Sequence, residues 1–313
     1  MRRNMKRLTF RAICDVSRLV ILSLVLAAYS TSTAFAQKQA AKGTDSDRRV
    51  GLVMAINEGA AGNLTATDVV FRYETFKPVV EKALGIPITL VAVRDSKELR
   101  RSLATGSFAL VLSRPADVLA EAVKDHGYQA VVSSTEPAHA IFIVRKDSPL
   151  TKITDIKGKS IVTPDRYAYM WRIANAMMRD SKISIANEQV RTMSDQAAIG
   201  WSMESGFFDV GVVASFSGVG RSWEKNGGRV IARSPELPNT PLIASPKVSS
   251  AQVQKLRTAL VSLDSTQGGP AILKTIGITG FKEASSTSLV DLIAWLGDLE
   301  SSKSQQAGMV QGK

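Results

Sequence analysis

Side chains that carry charge or donate hydrogen bonds stand where a predicted strand passes into a predicted helix. The clearest example is the loop Asp165-Arg166-Tyr167, which follows a short apolar strand and leads into a helix that includes Tyr169. A guanidinium can hold an oxyanion with two parallel hydrogen bonds, and a phenol can donate another. Free backbone N–H groups at a helix start also attract negative charge. The loop therefore predicts capture of a small anionic or polar ligand.

Further candidates stand at the ends of predicted strands nearer the start of the chain. Continuous apolar runs at 49–56, 88–93 and 108–112 are each followed by a helical pattern, which predicts parallel strands covered on both faces. On such sheets, ligands bind beyond the carboxyl ends of the strands. The residues that this rule brings to one crevice are Asn57, Glu58, Ser113 and Arg114.

Some of these side chains also have a purely structural interpretation. Asp165 can cap the helix that follows it, while Arg166 stays in solvent. Of the two arginines at predicted strand ends, Arg166 ranks first as a cation for the ligand and Arg114 second. The type of ligand is left open by these residues alone.

One stretch of the chain resembles a known family. Lys146-Asp147-Ser148-Pro149, followed by 155–159 (DIKGK) and a strand, is similar to a segment of the solute-binding proteins of ABC importers. Within that superfamily, residues 49–297 most resemble the phosphate, phosphite and phosphonate-binding branch of the class II periplasmic binding fold. The resemblance implies an α/β protein with two parallel-sheet-based lobes, joined by a hinge of two chain crossings, with the ligand between the lobes.

The same resemblance adds candidate site residues, each of which also has a structural interpretation. Ser194-Asp195 stands where the phosphonate branch has a His-Asp pair, and Asp209 and Tyr73 match two further positions of its pattern. Against these roles, Asp195 can be a helix N-cap, Asp209 a strand-start turn, and Tyr73 a core residue. The Ser/Thr-rich anion loop of the family is replaced here by the loop that contains Arg166.

The domain boundaries expected from this family follow the order of strands and helices. The chain should cross to the second lobe near Ala138 and return near Leu242. The last two helical patterns have no strong strand between them and should pack back on a lobe. The expected segments are an export signal (1–36), a flexible leader (37–48), lobe 1 (49–138 and 243–300), lobe 2 (139–242) and a disordered tail (301–313).

The start of the chain has the three parts of an export signal. Six basic residues precede and flank the apolar run at 19–28, and Ala34-Phe35-Ala36 is a cleavage signal. The apolar run is too short to cross a bilayer, which needs about 20 residues. The single cysteine, Cys14, lies within this segment, so cleavage after Ala36 leaves a cysteine-free protein. We expect a soluble periplasmic protein.

Composition argues against several other functions. Removal of the signal takes away six basic residues and one aspartate, which lowers the formal charge from +12 to +7. That charge is spread along the chain without a basic block, so we expect no nucleic-acid partner. His126 and His139 lie in different elements, and no nucleophile, metalloprotease or P-loop spacing occurs. We therefore expect no enzyme, no cofactor and no metal.

The interpretation that best fits these patterns is a periplasmic solute-binding protein of an ABC importer. It would be a monomer that closes its lobes on a small polar or anionic ligand, with phosphate or phosphonate favoured by the family, and presents it to the permease in the inner membrane. The alternative is a ligand sensor that presents its closed form to a membrane receptor or sensor kinase. The sequence does not separate these two.

Overall fold

The computed structural model describes residues 51–59, 64–114, 116–166, 168–184, 186 and 189–297. The predicted signal, leader and tail lie outside this part of the chain, and so does Tyr167. Within it, no helix combines the length and the apolar character needed to cross a membrane.

Strands and helices alternate along much of the chain, which is typical of α/β proteins. In chain order, the strands are β1 (Leu52–Asn57), β2 (Ile88–Ala92), β3 (Leu110–Ser113), β4 (Gln129–Ser134), β5 (Ala140–Val144), β6 (Ile161–Thr163), β7 (Val190–Thr192), β8 (Val210–Ala214), β9 (Arg229–Arg233), β10 (Leu242–Ala244) and β11 (Phe281–Glu283). The α-helices are α1 (Ala66–Tyr73), α2 (Lys77–Leu84), α3 (Ser96–Ala104), α4 (Ala116–Asp125), α5 (Tyr169–Asp180), α6 (Gln196–Glu204), α7 (Gly218–Ser222), α8 (Ser250–Val261), α9 (Gly269–Thr275) and α10 (Ser286–Leu296), with 3-10 helices at Ile153–Ile156 and Leu263–Ser265.

Local sequence explains where the first helices begin and end. Thr65 and Asp68 form a reciprocal capping box at the start of α1. Helix α2 has Pro78 in its first turn and ends at Gly85, whose φ of 67° lies in the left-handed region. The helical spacing over 69–84 predicts either a helix kinked at Pro78 or a new helix that starts near Thr75, and the structure has the second arrangement.

The first sheet has the strand order β11-β4-β10-β3-β1-β2. Strand β1 is parallel to β2 and β3, as the apolar runs predicted. Strand β10 lies antiparallel between β3 and β4, and β11 is antiparallel to β4. The carboxyl ends of β1 to β4 therefore share one edge, which we call the carboxyl edge of the first sheet.

The second sheet has the order β7-β6-β8-β5-β9. Strand β6 is parallel to β7 and β8, whereas β5 is antiparallel to β8 and β9. Both sheets are thus mixed, and their parallel part is the one that the sequence predicted. The carboxyl ends of β6 to β9 and the amino end of β5 form the carboxyl edge of the second sheet.

Two chain segments, 135–139 and 234–241, connect the sheets. The first leaves the carboxyl edge of one sheet and enters that of the other, and five residues span at most about 18 Å. The two carboxyl edges therefore face each other. A bridge between Ala138 and Leu237 ties the two segments together. Ala138 lies in the first segment, and Leu242, the first residue of β10, directly follows the second. The lobe boundaries and the role of these segments as a hinge stay predictions.

Apolar packing covers both faces of each sheet. In the first sheet, Met54 and Ile56 face α1, α2 and α8, while Ala55 and Val111 face α3, α4 and α10. In the second sheet, Phe142 packs on the side of α5 and its neighbours in β5 pack on the side of α6. The last helix, α10, packs on α4 and also contacts α5, the helix that covers the second sheet.

Candidate functional site

Polar residues end β1 and β3, the adjacent strands in the middle of the first sheet. Asn57 and Ser113 are register partners, and the Arg114 amide donates to the Asn57 carbonyl over 2.8 Å. Asn57 and Ser113 are buried, with exposed fractions of 2% and 0%. The structure thus brings together the strand-end residues that the sequence placed in a common crevice.

Glu58 is the centre of a buried charge cluster at this edge. Its carboxylate accepts hydrogen bonds from the Tyr73 hydroxyl (2.9 Å) and the Arg72 guanidinium (2.8 Å), and the Arg114 guanidinium lies 3.8 Å away. Burial raises the pKa of the Tyr73 phenol, and the Glu58 carboxylate adds to that rise. Tyr73 therefore stays protonated and donates to Glu58, while its ring belongs to the core.

The segment 234–241, which leads from the second sheet back to the first, adds polar groups to the carboxyl edge beside β3. The Ser113 amide donates to the Pro241 carbonyl over 3.1 Å, and the Ser133 hydroxyl donates to the Asn239 carbonyl over 2.7 Å. Between them, Thr240 is buried and has φ of 45°. A branched residue in the left-handed region is strained, and such strain concentrates at functional sites and hinges.

Two buried hydroxyl groups near the carboxyl edge of the second sheet find no partner among the described residues. Thr163, the last residue of β6, is fully buried, and no described residue bonds to its Oγ1. The same holds for the buried hydroxyl of Tyr169, at the start of α5, within the described parts of the chain. Burial, followed by the charge of Asp117, raises the pKa of Tyr169 well above its ordinary value of 10. This phenol stays protonated and can donate a hydrogen bond.

The loop before α5 differs in detail from the expectation. Helix α5 has Ala168 as its N-cap, which offers no side-chain hydrogen bond, so the interpretation of Asp165 as a capping residue is wrong. The Asp165 carbonyl instead accepts from the Ala168 amide over 2.8 Å. Asp165 is exposed and Arg166 is half-buried, whereas Tyr167 lies outside the described residues.

At the end of β7, Ser194 is exposed and Asp195 caps α6. The Asp195 Oδ1 accepts from the Ala197 amide over 2.9 Å. We expect Asp195→Ala to lower the free energy of unfolding by about 1 kcal/mol without changing ligand affinity, because this side chain closes a helix end. Urea unfolding measures the first effect, and calorimetric titration with inorganic phosphate, a ligand that the sequence resemblance favours, measures the second.

Asp195→Asn is the matched control for this prediction, since asparagine caps helices as well as aspartate does. We expect the Asn variant to keep the stability of the parent protein. A loss of affinity in both variants would contradict a capping role and assign the carboxylate to the ligand.

Asp209 lies at the wrong end of its strand for the predicted ligand contact. It precedes β8, at the amino end, whereas the facing edges of the sheets carry the carboxyl ends of β6 and β8. Its carboxylate accepts from the backbone amide and the hydroxyl of Ser160, both at 2.9 Å. Asp209 therefore joins the start of β8 to the chain before β6, and we leave it out of the site.

A buried ion pair between the two sheets was missed by sequence reasoning. Arg172 of α5 donates to Asp117 of α4 over 2.7 Å and to Glu121 over 3.1 Å. The Arg172 and Asp117 side chains are 6% and 3% exposed. Burial raises the pKa of Asp117, and the Arg172 guanidinium opposes that rise. The sequence did contain a signal for this buried arginine, because Arg172 stands between the core residues Met170 and Ile173.

A cavity of about 370 Å³ lies beside this ion pair, away from the predicted site residues. Its lining includes Arg100, Val118, Glu121, His126, Arg172 and Gly297. Across the described parts of the chain, no group of three or more His, Cys, Asp or Glu side chains is placed to hold a metal ion.

Solved structures share this arrangement of two facing sheets at low sequence identity. XAC2383 from Xanthomonas citri bound to ATP is 14% identical, with a TM-score of 0.63 over 79% of this chain and 97% of that chain. PhnD1 from Prochlorococcus marinus in complex with methylphosphonate is 15% identical, with a TM-score of 0.57 over 78% of this chain and 96% of that chain. The aliphatic sulphonate binding protein SsuA from Escherichia coli is 12% identical, with a TM-score of 0.52 over 82% of this chain and 90% of that chain. These similarities confirm the predicted class II periplasmic binding fold.

Comparison of the sequence with protein families gives a match over most of the described chain. The model of the periplasmic substrate-binding protein of phosphonate ABC transporters matches residues 59–289. No curated protein matches the chain. The matched span contains both sheets and both facing edges, apart from the first strand. The chain thus belongs to the phosphonate-binding family of periplasmic ABC substrate-binding proteins, and it is the solute-binding component of an importer.

Proposed function

We propose that the protein binds a small tetrahedral oxyanion, of the phosphonate or phosphate type, between the two carboxyl edges. The observation that carries this proposal is that both carboxyl edges have hydrogen-bond donors. The first edge has the Arg114 guanidinium. The second has the hydroxyls of Thr163 and Tyr169, beside the start of α5, which find no partner among the described residues. Tetrahedral oxyanions accept hydrogen bonds from all sides, so they suit donors that converge from two edges.

The balance of charge at the first edge supports an anion. Glu58 is the acidic member of its cluster, and it is already engaged by Arg72 and Tyr73. Arg114, 3.8 Å from the same carboxylate, adds a second guanidinium for one carboxylate. The cluster thus has two guanidinium groups for one carboxylate, a formal excess of positive charge that favours an anionic ligand over an amine.

The structural neighbours point to the same chemistry. PhnD1 was solved with methylphosphonate, and SsuA is described as an aliphatic sulphonate binding protein. XAC2383 was solved with ATP, whose phosphates are also tetrahedral oxyanions. Phosphonate, sulphonate and phosphate groups share their geometry and differ in charge. A panel of these groups therefore separates the ligand classes for this chain.

Binding is proposed to close two lobes, 49–138 with 243–300 and 139–242, about the connecting segments. Ligand contacts from both edges would stabilise the closed state over the open one. The protein acts as a monomer without catalysis, and its closed form meets the ABC permease. The strained Thr240 in the second connection fits a segment that changes its backbone angles on closure.

The proposal is tested by thermal unfolding of the chain from Gln37 onward, with methylphosphonate, inorganic phosphate and methanesulphonate in separate arms. At a ligand concentration of about 100 Kd, mass action stabilises the folded state by about 2.7 kcal/mol. For a protein of this size, we expect the Tm to rise by roughly 5 to 10 °C. Choline serves as the cationic control. A rise with choline and none with any oxyanion would overturn the proposal.

A further inference from the structure

Helix α5 packs on both sheets. Its inner face, with Ala174 and Met178, lies in the core of the second sheet. Another face, with Tyr169, Met170 and Ile173, lies in one continuous apolar core with residues of the first sheet and its helices. The partners on α10 in that core are Leu289, Leu292, Ile293 and Leu296. Separation of the lobes at this helix would expose a buried apolar surface.

Polar contacts fix the first turn of α5 to the first sheet. The buried Arg172 guanidinium donates to Asp117 and Glu121 of α4 and, over 3.0 Å, to the carbonyl of Gly297 after α10. Three acceptors from two elements thus hold one side chain. Any swing of α5 away from α4 would separate the Arg172 guanidinium from the Asp117 carboxylate and break their hydrogen bond, which is unfavourable.

A second set of contacts holds the other end of the helix. The Trp295 indole Nε1 donates to Asp180 over 2.7 Å, and the Arg179 guanidinium donates to the Trp295 carbonyl over 2.7 Å. Arg172 and Arg179 are seven residues apart, which is roughly 10 Å along a helix. Helix α5 is therefore held to α10 at two places along its length, so rotation about a single contact is also restricted.

From these contacts we infer that α5 is a fixed pivot between the two lobes, so that the cleft opens on the opposite side. Relative motion of domains is the default only where their interface is small and polar. The interface at α5 is apolar and contains a buried ion pair. The side that moves carries α1 and α2 of the first sheet and α6 and α7 of the second. This inference refines the closure proposed above, because it assigns the axis of motion to α5 as well as to the two connecting segments.

Pairs of spin labels test the inference in the ligand-free protein. The chain from Gln37 onward contains no cysteine, so labels can be introduced cleanly. Phe71→Cys with Trp201→Cys reports on the opening side, where both residues are exposed, at 80% and 62%. Asn175→Cys with Ala294→Cys reports on the pivot between α5 and α10, again at exposed positions.

We expect the distance distribution of the opening-side pair to be at least about twice as wide as that of the pivot pair. Equal widths, or a wider pivot pair, would overturn the inference. Arg172→Met should broaden the pivot distribution, whereas Lys124→Met, an exposed cation that lines the same cavity, should not. The comparison of the two pairs in the parent protein remains decisive if Arg172→Met folds poorly. Because no ligand is needed, failure here is distinct from failure of the proposed oxyanion binding.

Discussion

Replacement of Asp117 by alanine is expected to lower the free energy of unfolding by about 3 kcal/mol. The Arg172 guanidinium, 6% exposed, would keep Glu121 and the Gly297 carbonyl but lose its buried counter-charge. Removal of one partner of a buried ion pair leaves a charge in a medium that solvates it poorly. Urea unfolding followed by circular dichroism measures the loss as a shift of the midpoint.

Two further variants make this result specific. The double variant Asp117→Leu with Arg172→Met replaces both charges by apolar groups and should regain most of the lost stability. Arg233→Met removes an exposed pair with Glu224, in which the side chains are 47% and 58% exposed, and should cost less than about 1 kcal/mol. If Asp117→Ala and Arg233→Met cost the same, the buried pair is not a special feature of the fold.

Replacement of Arg114 by methionine is expected to weaken oxyanion binding by about 10- to 100-fold. Hydrogen bonds to charged groups contribute about 1.5–3 kcal/mol, which corresponds to this range of affinity. The residue is 20% exposed at the carboxyl edge, and the nearby Glu58 already has two other donors. Calorimetric titration with methylphosphonate, or with whichever oxyanion raises the Tm most, gives the dissociation constant.

Arg114→Lys and Arg101→Met are the controls for this measurement. Lysine keeps the charge without the planar fork of the guanidinium, so binding should fall less than in Arg114→Met. Arg101 is exposed on α3, away from the facing edges, and its replacement should leave affinity unchanged. Unchanged affinity in Arg114→Met would show that Arg114 serves the Glu58 cluster and makes no contact with the ligand.

Strands that consist of continuous apolar runs were predictable from the sequence. The runs expected at 49–56, 88–93 and 108–112 became β1, β2 and β3 with their ends shifted by a few residues. The short strand β11 has no such run. Strand β11 has a single buried residue, Phe281, followed by a lysine and a glutamate, and it forms because β4 offers it a free side.

Helix lengths were less predictable where glycine controls packing. The sequence pattern predicts a helix over 215–226, whereas the helix in the structure, α7, covers only Gly218–Ser222. A Cβ atom on Gly220 would lie 2.2 Å from the Ala214 carbonyl oxygen, so this glycine brings the turn close against the end of β8. Periodicity in the sequence reports which residues are apolar, but it does not report such close approaches of the backbone.

Some residues of the candidate site were predictable from the sequence and others were not. Asn57, Glu58, Ser113 and Arg114 come together because parallel strands bring their carboxyl ends to one edge, and the sequence pattern predicts that strand direction. The order of the strands was not predicted. Asp209 matched a family pattern, yet the strand direction carries it to the other edge. Arg172 and Asp117 meet only once two sheets take up their positions, which no local pattern encodes.

The strand order of the first sheet also constrains the order in which parts of this protein can fold as the chain emerges from its N-terminus onward. Among the described strands, β4 has no neighbour in its own sheet before β10 is available, because β10 separates it from β3 and β11 comes later still. The second sheet is made from one continuous stretch, β5 to β9, that lies between these two parts. The second sheet can thus assemble before the first is complete, because the first needs residues from 242 onward. Until those residues are available, an unpaired β4 is open to wrong association.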